Sequence, residues 1–160
     1  IEIEHSYRYA FSDSKNPKVL SLTRQDLDYL DFDVKYEEFI KGGYVVSDGD
    51  DFTLVASGSE LEIAFKIKAA LLEYSVRIIS VPILNKLSNM KNEEINELLK
   101  NKHVFPIELG RSIGWESYLG RITKTFSIDS FGESAPIEDL EKNFGFDVPS
   151  ITKEIIKYLN

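Results

Sequence analysis

An arginine placed at the end of an apolar run is the residue of this chain best suited to chemistry. Lys18-Val-Leu-Ser-Leu22 reads as a buried strand, and Thr23-Arg24-Gln25 follows it directly. A guanidinium is a rigid fork of N–H donors that matches the oxygens of a phosphate or carboxylate. The competing reading is an ion pair with the acidic residues just downstream, among them Asp26, Asp28 and Asp31. By chemistry alone the two readings stand level. A second candidate anion site is the turn Ser57, Gly58, Ser59, which lies between a strand and a helix opening at Glu60. Free N–H groups and the positive end of the helix dipole favour an anion there. Equally, Ser57 or Ser59 caps the helix and Glu60 complements its dipole. The turn is neither a phosphate loop, which needs Gly-Lys-Ser/Thr, nor a dinucleotide fingerprint, which needs three spaced glycines. Glu108 and Asp129 fall at strand C-terminal ends, where α/β sheets place ligands, and each serves as well to cap the next turn.

Other chemistries are set aside. Asp48-Gly-Asp-Asp51 has calcium-like side chains but lacks a glycine at the sixth loop position and a glutamate at the twelfth, so it reads as a solvated turn. His5 and His103 are the two histidines. Neither has a carboxylate or a second histidine at ligand spacing, so no metal site is assigned. A Ser-His-Asp triad finds no Gly-x-Ser-x-Gly elbow. The absence of cysteine excludes disulfides, thiol catalysis and cysteine-based zinc sites, and fits a reducing compartment. No catalytic residue is assigned.

The 160 residues suit one domain, or one domain and a fragment, with enough chain for a real core. Apolar residues at 42% and charged ones at 29% are those of a soluble globular protein. A net charge of −8 repels phosphate backbones and anionic lipid, so neither nucleic acid nor a membrane surface is expected as a partner. No apolar run approaches the roughly 18–20 residues that cross a bilayer, and no signal peptide is visible.

These residues must be positioned by the following elements. Residues 1–12 read as an amphipathic helix with Ile3, Tyr7, Ala10 and Phe11 at helical spacing. Nothing ahead of it supplies a cap, so the chain is expected to have been cut from a longer one. Residues 12–17 are a turn cluster, 18–23 a strand buried on both faces, and 26–41 an ordered linker that hugs the surface through its aromatics. "GGYVV" and "FTLVAS" read as a β-hairpin joined by "SDGDD". "ELEIAFKIKAALLEY" is a helix with Leu61, Ala64, Phe65, Ile67, Lys68 and Leu71 around its buried face. The strand "VRIISVPI", the helix "KNEEINELLKNK", the strand "HVFPIEL", the helical turn "IGWESYLGR" and the strand "KTFSIDSF" come next. Helices "APIEDLEKNFGF" and "PSITKEIIKYLN" close the chain, with Pro136 and Pro149 at or near their starts. The alternation predicts an α/β fold: a mixed, mostly parallel sheet with helices on both faces, the hairpin supplying an antiparallel edge.

The order of motifs resembles the C-terminal part of transketolase. The matching stretches are "KVLSLTRQDL" (18–27), "GGYVV" (42–46), "FTLVASGSELEIAFK" (52–66), "VRIISVP" (76–82) and "IDSFGESAPIEDLEKNFGF" (128–146). By this resemblance, residues 1–25 are the last helix and strand of an incomplete pyrimidine-binding domain, 26–41 a linker, and 42–160 the C-terminal domain. It implies a transferase of the pentose phosphate pathway that moves a two-carbon ketol unit between sugar phosphates. Thiamine diphosphate supplies the carbanion chemistry in that family, with Mg²⁺ or Ca²⁺ holding its diphosphate. Arg24 occupies the arginine of the Ser/Thr-Arg-Gln motif, which implies contact with the substrate phosphate. The implied partners are the remaining domains of the same chain, a second subunit in a homodimer, and sugar phosphates. The implied compartment is the cytosol, with plastids as the other. The diphosphate-binding, catalytic and metal-binding segments are expected outside these residues, so the chain alone is expected to be inactive and to hold no cofactor. Residues 1–25 are expected to expose apolar surface, and to associate or lose order. A deoxyxylulose phosphate synthase or a dehydrogenase β subunit shares the domain plan, but "SLTRQ" and "FGESAP" fit transketolase better. A free-standing α/β module that binds anions or proteins is the reading from another class.

Overall fold

The computed structural model describes residues 2–13 and 15–160, without the side chain of Glu138. Residue 1 of the expected first helix and Ser14 of the expected turn lie outside the described residues. The elements run α1 (Glu2–Phe11), α2 (Tyr36–Phe39), β1 (Tyr44–Ser47), β2 (Phe52–Ala56), α3 (Glu60–Ala70), β3 (Val76–Ser80), a 3₁₀ turn (Leu84–Asn89), α4 (Asn92–Leu99), β4 (His103–Glu108), α5 (Trp115–Leu119), β5 (Phe126–Ser127), α6 (Ile137–Asn143) and α7 (Val148–Leu159).

Among the described residues five strands form one sheet in the order β1-β3-β2-β4-β5. β2, β3, β4 and β5 are parallel, and β1 runs antiparallel on the edge of β3. The runs "FTLVA" and "VRIIS" are buried throughout because each has strands on both sides and helices on both faces. Side chains alternate between those faces. Phe52, Leu54 and Ala56 join α3 and α7 in one core through Leu61, Ala64, Ile67, Ile151 and Ile155. Val55, Ile79 and Val104 join the other through Leu87, Ile95, Leu99, Trp115 and Leu119, from the 3₁₀ turn, α4 and α5. Asp147 caps α7 by accepting from Ser150 N–H at 3.0 Å, and Pro149 sits in its first turn.

Two expectations are corrected. First, β1 and β2 are not a hairpin, since β3 lies between them. The "SDGDD" segment crosses the start of β3, where Asp51 N–H donates to Ser75 O at 2.9 Å and Ser75 N–H to Asp51 Oδ2 at 2.6 Å. The antiparallel edge exists, but its partner is β3.

Second, residues 18–23 are not a buried strand. No strand among the described residues pairs with them, and Val19 is 94% exposed. A continuous apolar run encodes burial on two faces, yet only neighbouring strands can supply the ladder that makes it a strand.

The face of α1 turned to the protein is its polar one. Ile3, Tyr7 and Phe11 are exposed, whereas Glu2, His5, Ser6 and Tyr9 are half-buried. The 26–41 segment does hug the surface. Leu30 and Phe32 pack on the α3 side of the sheet, Phe32 stacks on Phe65 with centroids 6.4 Å apart, and Val34 and Phe39 are buried beside Tyr44.

Candidate functional site

Arg24 stands at a bend, exposed to solvent. The bend has a local cause: the Thr23 hydroxyl accepts from Gln25 N–H at 3.2 Å, a side-chain turn that replaces backbone pairing. No ion pair or hydrogen bond among the described residues takes up the guanidinium, so the acidic segment downstream does not neutralise it. On the approach to Arg24, Lys18 Nζ donates to Asp13 O at 2.8 Å, just past α1, and lies 5.4 Å from the Tyr9 ring of α1.

The turn 57–59 opens α3, with Ser59 at the cap position. Neither serine caps the helix through its side chain. The Ser59 hydroxyl instead donates to Glu60 Oε2 at 3.0 Å, and Leu109 N–H donates to Glu60 Oε1 at 3.0 Å. Glu60 is buried at 8% exposure. Burial pushes its carboxyl above the usual carboxylate range, and the neighbouring Glu108 charge pushes the same way, while the Leu109 and Ser59 donors pull down. Two carboxylates beside residues 57–59 favour the dipole-complementing reading of Glu60 over an anion.

Glu108 and Asp129 act as turn caps. Glu108 accepts from Gly110 N–H at 3.0 Å and from Trp115 Nε1–H at 3.3 Å. Asp129 accepts from Ser127 Oγ at 2.6 Å and from Ser112 N–H at 3.1 Å, which hold its carboxyl below the ordinary value. Beside Asp129, an open cleft of about 490 Å³ runs along β5 to Thr123 and Glu116. His103 stacks on Phe105 inside the sheet, and His5 Nε2 donates to Val34 O at 2.8 Å. Asp48 and Asp50 pair with Arg77 and Lys100. Among the described residues no three His, Cys, Asp or Glu side chains gather as a metal would need. Nor is any helix among them long and apolar enough to cross a membrane.

Sequence reasoning missed Glu2. Its Oε1 accepts from the hydroxyls of Tyr44 and Ser80, residues 42 and 78 positions away. No local pattern encodes such a pairing. Burial, and then the Glu2 charge, push the Tyr44 phenol well above its usual range.

The fold and this edge define an α/β module with a mixed, mostly parallel sheet, fronted by a docked helix and a solvent-facing arginine. The Transketolase-like TK C-terminal domain family matches residues 42–147. The chain is 33% identical over 171 aligned residues to the transketolase of Bacillus subtilis (strain 168), an alignment covering 99% of this chain and 25% of that protein. It is 34% identical over 160 residues to the chloroplastic transketolase of Zea mays, covering 94% of this chain and 23% of that one. The solved transketolase of Pichia stipitis in complex with sedoheptulose 7-phosphate superposes with a TM-score of 0.86 at 25% identity, over 99% of this chain and 24% of that chain. The chain belongs to the transketolase family and corresponds to the C-terminal part of its members. It spans about a quarter of the length of the curated relatives it matches.

Proposed function

We propose that this chain is the C-terminal portion of a transketolase that transfers a two-carbon ketol unit between sugar phosphates in the pentose phosphate pathway. Arg24 is its contribution to the substrate site, holding the sugar phosphate by charge-assisted hydrogen bonds. The observation that carries this reading is the solvent-facing guanidinium at a turn fixed by Thr23 and Gln25, left unpaired among the described residues despite six acidic residues between 26 and 38. The Pichia stipitis relative, solved with a phosphorylated sugar, supports the ligand class.

Thiamine diphosphate and Mg²⁺ or Ca²⁺ serve the parent enzyme. The described residues offer no metal cluster that fits them, so both are assigned, with the bond-making chemistry, to other parts of the parent chain. The partners are the remaining domains, which cover the apolar stripe of α1 and the run 18–22, and a second subunit in a homodimer. The proposed compartment is the cytosol, with plastids as the other. Residues 1–25 are assigned to the pyrimidine-binding domain, 26–41 to the linker and 42–160 to the C-terminal domain. The isolated chain is inactive. The turn 57–59 remains a minor anion site at most, because two carboxylates already stand beside it.

The test is steady-state kinetics of the full-length parent carrying Arg24→Gln, numbered as in this chain. KM for xylulose 5-phosphate should rise about 10- to 100-fold, the worth of one lost set of charge-assisted bonds, with kcat within a few-fold. An unchanged KM refutes the role. The isolated chain, mixed with xylulose 5-phosphate, ribose 5-phosphate, thiamine diphosphate and Mg²⁺, should give no turnover above background.

A further inference from the structure

Helix α1 meets the rest of the chain through polar groups. Glu2, His5, Ser6 and Tyr9 follow the i, i+3, i+4, i+7 spacing of one helix face, and all are half-buried. On the receiving side, Tyr44 of β1 and Ser80 of β3 stand opposite each other in the antiparallel ladder. Both are buried, at 5% and 0% exposure. Their hydroxyls therefore emerge together at the carboxyl edge of the parallel strands. Glu2 Oε1 accepts from both, from Ser80 Oγ at 2.5 Å and from Tyr44. One turn along, the His5 ring packs on Tyr36 and Phe39, with centroids 5.6 and 5.5 Å away, and its Nε2–H donates to Val34 O at 2.8 Å. The Arg8 guanidinium lies 3.9 Å over the Tyr36 ring.

We infer that Glu2 is a positioning residue whose carboxylate latches α1 to the carboxyl edge of the β1–β3 pair, so that α1 moves with the 42–160 body and carries the approach to Arg24 with it. The chemistry selects an acid at this place. Two buried O–H donors meet there, and each costs free energy if left without an acceptor. A carboxylate oxygen accepts both and offers no competing donor. No cation among the described residues pairs with Glu2, so its carboxyl group is held by these two hydroxyls. The link onward is Lys18, six residues before Arg24, which donates to Asp13 O, two residues past the end of α1, and lies 5.4 Å from the Tyr9 ring of that helix. Docking of the helix stands on its own geometry, whereas its consequence for Arg24 rests on the proposed phosphate-binding function.

Hydrogen exchange of the 160-residue chain tests the latch. Glu2→Ala should speed exchange of the α1 amides about tenfold or more, the effect of losing a charge-assisted acceptor, while β2 and β4 amides keep their protection. Glu2→Gln retains an acceptor oxygen and should stay within about threefold of the native chain. Adding Tyr44→Phe to Glu2→Ala should add nothing, because the two act through one bond. Native-like exchange in Glu2→Ala, or independent additive effects of the two substitutions, overturns the latch. In the full-length parent, Glu2→Ala should raise the KM for xylulose 5-phosphate with kcat little changed. If Arg24→Gln raises KM and Glu2→Ala does not, the positioning role is overturned. If Arg24→Gln itself leaves KM unchanged, the phosphate-binding reading fails, and exchange alone decides the latch.

Discussion

The crossing of "SDGDD" over β3 leaves less room at Gly49 than at any other glycine of the chain. A Cβ at Gly49 would lie 2.3 Å from Val76 C, 2.5 Å from Arg77 N and 2.6 Å from Ser75 O. All three are backbone atoms at the start of a buried central strand, so none can rotate away. Gly49→Ala must lift the loop instead. Lifting it strains or breaks Asp51 N–H to Ser75 O and Asn101 Nδ2–H to Gly49 O, the latter 3.1 Å long and buried. Overpacking of this kind costs about 1–3 kcal/mol, and each net hydrogen bond about 1 kcal/mol more. The total is about 3–5 kcal/mol. With a urea slope of about 2 kcal/mol/M, the unfolding midpoint should fall by about 1.5–2.5 M. Urea titration followed by circular dichroism and by fluorescence of Trp115, the single and buried tryptophan, measures it. Gly58→Ala is the internal control. It has φ +55° with nothing within 4 Å of the added carbon, so it should cost only about 1–2 kcal/mol for the left-handed backbone. A Gly49→Ala midpoint at or above that of Gly58→Ala refutes the crossing geometry.

Phe32→Ala removes the ring that stacks on Phe65 and should speed chymotryptic cleavage between residues 27 and 36 about 3- to 10-fold; equal rates would mean the segment is not held by that pair. Glu60→Gln should raise the urea midpoint at pH 7. Burial lifts the folded-state Glu60 carboxyl above its unfolded value, so its stabilising share is whole below the unfolded value and is lost as pH rises through the folded one. The advantage of Glu60→Gln must therefore shrink towards pH 4, and an equal advantage at both pH values contradicts the assignment.

The central strands were legible because burial on both sides leaves no polar alternation: "FTLVA" and "VRIIS" could be little else. The strand pairing was not legible. Turn chemistry at 48–51 is local and says hairpin, but whether a third strand inserts is decided by the packing of β3 against both neighbours. The clue was Gly49 itself, whose missing side chain admits the crossing. The apolar stripe of α1 was legible as a stripe, but that its polar face is the one docked on this chain was not. Periodicity reports that a face wants cover, not which neighbour covers it. At the candidate site, Arg24 stood out by residue type and by its place after an apolar run. Glu2 did not, since an acidic residue in the first turn of a helix has an ordinary explanation in the dipole.

The carboxyl edge of the sheet gathers acidic groups, and a count of donors shows that they are already engaged. Glu2 is taken by two hydroxyls, Glu60 by Leu109 N–H and Ser59, Glu108 by Gly110 N–H and Trp115, and Asp129 by Ser112 and Ser127. Each of these acids is satisfied within the fold, and opening any of them to a ligand would first cost the bonds it already makes. Arg24 faces the opposite balance. Its five N–H donors meet solvent on a bend whose shape Thr23 and Gln25 have already set, so an incoming phosphate displaces only water and orders little backbone. On the proposed reading the anion is therefore received at Arg24 and not at the start of α3, where Glu60 and Glu108 already place two carboxyl groups.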